Sequence, residues 1–277
     1  MPVVTRALVL AGGGLVGIAW ELGVLLGLRG QGADPRGWDR IVGTSAGAVV
    51  GAAVGTDGGL DALRKTRWVE RVTELEAYQR TLDHAAVEEI DRLWFARPEG
   101  PDRATRAEIG RRALAMTLED EGRYLESIAE LLPGRDWPRR LVTTAVDAED
   151  GSFRTFDAAS GVSLVAAVAA SCAIPGVFPP VSIAGRRYVD GGVRSGTCAD
   201  VATGNDLVLL VAPTRPDGPW SARQATEVAG LRAAGSRVVE ITPAAGPLEP
   251  GPLSDVLEAG VAVGVASASR VREAEAA

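Results

Sequence analysis

RALVLAGGGLVGIAWELGVLLGL, residues Arg6–Leu28, decides the fold class. The short apolar run Arg6–Leu10 ends abruptly at Gly12, Gly13 and Gly14. From Gly17 to Leu28 apolar side chains return at helical spacing, through Ile18, Leu22, Leu25 and Leu26. The pattern is strand, glycine loop, helix. A second unit of the same kind follows: Arg40–Val42 runs into Gly43-Thr44-Ser45-Ala46-Gly47, and the small, apolar Ala48–Val54 suits a helix packed closely on a sheet.

Downstream, residues 60–135 change character. Charge density rises and helical periodicity dominates (Val87, Ile90, Leu93 and Trp94; Ile109, Ala113 and Met116), broken by Pro98, Gly100 and Pro101. This reads as a helical insertion, and a possible lid, on the scaffold. Strand character returns at Leu141–Val146, Gly151–Phe156 alternates like a hairpin arm, Val162–Cys172 reads as a small-residue helix, and Arg187–Val189 as a short strand ending at Asp190-Gly191-Gly192. The last third alternates again, with strands Leu207–Val211 and Val238–Ile241 and helices Ala222–Ala234 and Leu253–Val271; 272–277 reads as a frayed tail. Such alternation predicts an α/β fold, a single domain over 1–277 with a mostly parallel sheet covered on both faces.

Composition excludes several functions. The 277 residues carry 29 Lys+Arg against 36 Asp+Glu, a net charge of −7, and no basic tail, so no nucleic-acid partner is expected. Two cysteines, Cys172 and Cys198, and a lone histidine, His84, are too few for a structural zinc site or a disulfide framework. No metal and no cofactor is expected. A serine mechanism must use His84 or another base. No signal peptide or membrane span is legible: the glycines interrupt the N-terminal apolar run, and Pro175, Pro179 and Pro180 interrupt Val162–Val181. A cytoplasmic location follows as an expectation. Lys65 is the sole lysine among the basic residues, a bias that suggests a GC-rich bacterial genome.

Three motifs carry chemistry. Gly12-Gly13-Gly14-Leu15-Val16-Gly17 contains GxGxxG spacing between strand and helix. Its backbone N–H groups suit either a pyrophosphate or a tetrahedral oxyanion. Under the nucleotide reading, Asp34 or Asp39 would meet the ribose. Gly43-Thr44-Ser45-Ala46-Gly47 is a GxSxG between strand and helix, the context of a nucleophile elbow, in which the Ala46 N–H points where an oxyanion forms. Its plain alternative is a helix start capped by Thr44 or Ser45. Asp190-Gly191-Gly192 is an ordinary turn by itself. Burial would raise the Asp190 carboxyl and make it a usable base.

Together with Ala170–Val181 (ASCAIPGVFPPV) and Tyr188–Gly192 (YVDGG), these motifs resemble the patatin-like phospholipases, from Gly12 to about Asp200. The resemblance implies a three-layer α/β/α fold and lipid acyl hydrolysis without a metal. It implies a catalytic dyad of Ser45 (nucleophile) and Asp190 (base), with oxyanion donors from Gly12, Gly13 and Gly14 beside Ala46. Gly17, Gly43, Gly47, Gly191 and Gly192 support the motifs. The substrate would be a lipid or acyl ester, with peripheral membrane contact possible. A non-catalytic lipid binder and an acyltransferase share these motifs. The sequence departs from the family at Val16, where Arg or Lys is usual, at Ala11, and at Arg194-Ser195-Gly196-Thr197, where Asn-Pro is usual.

Of the remaining residues, His84 reads as surface or capping. Cys172 and Cys198 read as small buried or loop residues. Arg103, Arg106, Arg111 and Arg112 read as a solvated face more than a lipid-head site. Ile174–Pro179 is a stiff apolar loop, equally suited to an acyl-pocket wall and to core packing.

Overall fold

The computed structural model describes residues 4–66, 68–214, 218, 220–243 and 252–277. Met1, Pro2 and Val3 of the N-terminal stretch and Arg67 of the insertion lie outside them. The strands are β1 (Arg6–Leu10), β2 (Arg40–Gly43), β3 (Leu141–Asp147), β4 (Phe153–Phe156), β5 (Val181–Ile183), β6 (Arg186–Asp190), β7 (Leu207–Val211) and β8 (Arg237–Ile241). The helices are α1 (Gly14–Gly30), α2 (Ala46–Val54), α3 (Gly59–Arg64), α4 (Trp68–Gln79), α5 (His84–Trp94), α6 (Arg103–Ala115), α7 (Glu121–Leu131), α8 (Leu164–Cys172), α9 (Ser221–Ala233) and α10 (Leu253–Ala276).

The sheet runs β5-β6-β3-β2-β1-β7-β8, with β4 paired to β3 off this path. Strands β3, β2, β1, β7 and β8 are parallel neighbours; β6 joins β3 antiparallel, and β5 joins β6 likewise. Sheet order reverses at β1, so the loop after it opens at a topological switch point, where ligand crevices form in open α/β sheets.

Alternation along the strands divides the core. Leu8, Leu10, Ile41, Leu207 and Leu209 face the layer of α1, α2, α8 and α10. Ala7, Val9, Val42, Val208 and Leu210 face α9 on the other side. The same far face is covered at β3 and β6 by α5 and α6, through Ile90, Trp94, Ile109 and Ala113 against Val146 and Val189. The mixed α/β fold with a mostly parallel, doubly covered sheet is as expected.

The close pairing of α1 with α10 was not expected. A Cβ on Gly23 would fall 2.2 Å from the Leu257 carbonyl oxygen, and one on Gly260 2.3 Å from that of Trp20. Each mid-helix glycine costs about 1 kcal/mol in helix propensity; here it lets two backbones touch, as small residues do wherever helices approach closely.

One other expectation changes. Residues 272–277 do not fray: α10 continues through Ala276, because Glu275 accepts from Trp38 Nε1 at 3.0 Å and pairs with Arg6 at 3.3 Å. Strand β5, which no sequence pattern marked, is only three residues long and is held by pairing with β6. Among the described residues, no helix is long and apolar enough to cross a membrane, and no cluster of His, Cys, Asp and Glu suits a metal ion.

Candidate active site

The first motif caps β1. The Ala11 N–H donates to Val211 O (3.2 Å) and to Oε1 of Glu21 (2.8 Å). Gly14 takes φ +60°, a left-handed angle that a side chain would strain. The Gly12 N–H is consumed, donating to Gly196 O at 2.7 Å. Gly12 is therefore corrected as an oxyanion donor: a buried N–H satisfied by a backbone carbonyl is not available to a ligand. The N–H groups of Gly13 and Gly14 have no partner among the described residues, and Gly13 is exposed.

The second motif turns β2 into α2. Ser45 sits at φ 53°, ψ −117°, one of three non-glycine residues with positive φ among those described. Such a conformation costs on the order of 1–3 kcal/mol and persists only where its surroundings enforce it. They do: a Cβ on Gly47 would lie 2.1 Å from Leu10 O, and one on Gly43 2.5 Å from Gly47 O. No larger residue fits either flank. The helix-cap alternative fails, since Ser45 makes no side-chain cap to α2. Its N–H donates to Ser171 Oγ at 2.9 Å. The Ala46 N–H, at the start of α2 where the helix dipole favours negative charge, has no partner among the described residues.

The third motif ends β6. Asp190 stands opposite Ala145 of β3, its N–H donates to Ala173 O (2.9 Å), and its Oδ1 accepts from the Gly192 N–H (2.7 Å). The Ser45 hydroxyl neighbours the Asp190 carboxyl closely enough to favour the ionised form. Asp190 is 2% exposed. Burial pushes its pKa up to about 7, against the lowering effect of the nearby Ser45 hydroxyl and of the Gly192 N–H. A Cβ on Gly191 would lie 2.2 Å from Thr144 Oγ1, so only glycine lets the turn dip onto β3. Trp94 of α5 donates through Nε1 to Gly192 O at 3.0 Å, so the insertion helps hold this turn. Gly17 lets the starts of α1 and α2 meet: its Cβ would lie 3.2 Å from that of Ala46.

A serine hydroxyl, a buried carboxylate and three unpartnered N–H groups thus converge at the carboxyl edge of the parallel strands. Beside them opens a cavity of 270 Å³, lined by Ile18, Val49, Tyr78, Tyr124, Leu131 and Phe178. Ile174, Val177 and Phe178 lie on it, so the stiff loop is a wall. A larger groove of 1420 Å³, between α1, α4 and α10, contains neither Ser45 nor Asp190.

Several neighbours carried no expected role at the dyad, although Ser171 and Cys172 lie in the Ala170–Val181 motif. Cys172 lines the cavity and its Sγ donates to Ser45 O (3.2 Å), yet burial holds the thiol well above its ordinary pKa, which makes it a poor nucleophile. Ser171, Thr144 and Trp94 are brought in only by folding. Glu21 is fully buried beneath the glycine loop, and burial drives its carboxyl well above the ordinary pKa.

The remaining candidates stand elsewhere. His84 is exposed at the start of α5. Arg103 pairs with Asp150, Arg111 with Glu108, and Arg112 with Glu89 and Glu108, while Arg106 donates to Gly151 O and Pro101 O. Asp34 and Asp39 precede β2, at the opposite edge of the sheet from the glycine loop, so neither meets a ribose there. Cys198 is buried with its Sγ 3.3 Å from Ser195 O. The departure at Arg194–Thr197 has a local use, since Gly196 O holds the Gly12 N–H.

Solved structures of similar fold include VipD from Legionella pneumophila, 15% identical, with a TM-score of 0.49 over 98% of this chain and 67% of that one. The type III effector protein ExoU is 17% identical, with a TM-score of 0.46 over 99% of this chain and 54% of that one. ExoU in its complex with SpcU from Pseudomonas aeruginosa gives 17% and 0.44, covering 98% and 52%. The chain thus spans about two thirds of VipD and about half of ExoU. No curated protein matches it. Residues 8–203 match the patatin-like phospholipase family, a stretch that holds all three motifs from Gly12 through Asp190 to Gly192, and the chain belongs to that family.

Proposed function

We propose that the protein is a serine acyl hydrolase that cleaves acyl esters of lipids through Ser45 and Asp190. The observation that carries this reading is Ser45, strained at its elbow and with its hydroxyl next to the carboxyl of a buried Asp190, beside an apolar cavity. Family membership supports the substrate class.

In this mechanism Ser45 Oγ attacks the ester carbonyl carbon while its proton passes to Asp190. The N–H groups of Gly13, Gly14 and Ala46 stabilise the oxyanion; loss of one such donor typically costs about 10²–10³ in rate. Collapse breaks the ester C–O bond, and the leaving alcohol takes the proton from Asp190. Water then attacks acyl-Ser45, giving its proton to Asp190, and the fatty acid departs as Ser45 Oγ is reprotonated. A carboxyl near pH 7 suits both directions of transfer. In keeping with this reading, we assign to α4 the lid role first considered for the whole insertion, because α5 and α6 cover the far sheet face while α4 borders the cavity.

The test is hydrolysis of p-nitrophenyl esters and of phospholipid vesicles by wild type, Ser45→Ala and Asp190→Asn, with circular dichroism on each. Both variants are expected to stay folded and lose activity by orders of magnitude. Full activity in Ser45→Ala overturns the proposal.

A further inference from the structure

We infer that the cavity beside Ser45 is a site for one acyl chain of medium length, about eight to ten carbons, ending at the Arg71–Glu130 ion pair. The inference rests on the hydrolase reading for what Ser45 does, but its dimensions stand on geometry.

The cavity lies between α4 and α7, and both helices run its length. Its near end is at the nucleophile. There Cys172 touches Ser45, and Phe178 stacks on Tyr124 at 4.9 Å and on Tyr78 at 6.1 Å between ring centroids. Tyr78 fixes this end of α4, donating through its hydroxyl to Val177 O at 2.8 Å and accepting from the Glu119 N–H at 3.3 Å. Seven residues along α4 from Tyr78 stands Arg71; seven along α7 from Tyr124 stands Leu131. At a helical rise of 1.5 Å per residue each interval is about 10 Å. At the far end Arg71 pairs with Glu130, the neighbour of Leu131, and with Glu74. Beyond that pair the surface is lined by Lys65, Glu70 and Glu74.

The length of the cavity sets its capacity. A zigzag of C–C bonds of about 1.5 Å advances about 1.3 Å per carbon, so about 10 Å takes about eight carbons. At 270 Å³ the cavity lies at the small end of ligand pockets, in keeping with a single chain of this length. The stop is chemical as well as steric. Each methylene inside exchanges water for Val49, Ile128 and Leu131 and should raise kcat/KM about fourfold. The next would have to part an ion pair whose glutamate side chain is 65% exposed, a cost comparable to the gain from one methylene.

The experiment measures kcat/KM for p-nitrophenyl esters from butyrate to palmitate, below their micellar concentrations. The expected profile climbs steeply to octanoate or decanoate and then breaks. Leu131→Ala should move the break two or three carbons longer, and Leu75→Trp, which adds bulk from the half-buried face of α4, should move it shorter. A wild type that cleaves esters with kcat/KM rising unbroken to palmitate overturns the inference while leaving the hydrolase standing. If no ester is cleaved, the hydrolase reading falls, and titration calorimetry of octanoate, decanoate and palmitate against wild type decides the site. Affinity that stops rising at decanoate supports it; affinity that climbs on to palmitate, or no binding, overturns it.

Discussion

Replacing Asp190 by Asn should stabilise the fold at alkaline pH while abolishing its chemistry. The carboxyl sits at a pKa of about 7 against an ordinary 3.8, raised by burial. Between those values the folded protein holds a proton that the unfolded chain has released, so stability falls as pH rises through this window. The whole effect is about 4 kcal/mol, from roughly three pKa units at 1.36 kcal/mol each, and about 2.5 kcal/mol of it falls between pH 5 and 8. Asn keeps an oxygen for the Gly192 N–H, which the carboxyl receives at 2.7 Å, and never ionises. The assay is urea unfolding of wild type and Asp190→Asn at pH 5, 6, 7 and 8. The variant's advantage should grow with pH by about that amount, on the order of 2–3 kcal/mol. Comparing the two proteins cancels the titration of every other group, Glu21 included. Parallel stability profiles would refute the raised pKa and, with it, the case for Asp190 as a base poised near neutrality. Wild-type kcat/KM should move the opposite way, rising through pH 7 as the base ionises, a conflict between stability and activity common at catalytic sites.

Four further predictions concern the frame of the site and its surroundings. Gly260→Ala places a Cβ 2.3 Å from the backbone oxygen of Trp20 and should cost at least about 2–3 kcal/mol, read as a lowered midpoint of thermal unfolding. By contrast Gly230→Ala, exposed in α9 with nothing within 4 Å, should gain about 0.5–1 kcal/mol. Glu21→Gln retains an acceptor for the Ala11 N–H and should preserve turnover, with stability over wild type increasing toward high pH because the raised Glu21 carboxyl no longer has to ionise. Glu21→Leu removes that acceptor and should lower kcat with little change in KM as the glycine loop loosens; unchanged kcat would show the bond to be dispensable.

The sequence by itself determined the α/β alternation, the strand-loop-helix units around Gly12–Gly14 and Gly43–Gly47, and the candidacy of Ser45 and Asp190. These were legible because each depends on local rules: periodicity marks elements, and glycines mark places where backbone must come close, as the 2.1 Å at Gly47 bears out. The glycines of α1 and α10 were equally visible, but their meaning needed the partner helix. Only the tertiary structure decided which N–H groups are open, since Gly12 is spent on Gly196, far along the chain. Folding also placed Cys172, Ser171 and Trp94 around the dyad and gave the insertion two duties, with α5 and α6 covering the sheet and α4 walling the cavity. The Asp190 pKa belongs to the same class. A carboxylate's identity is written in the sequence, but its basicity depends on how much water the fold removes, and burial is a property of contacts between residues distant in the chain.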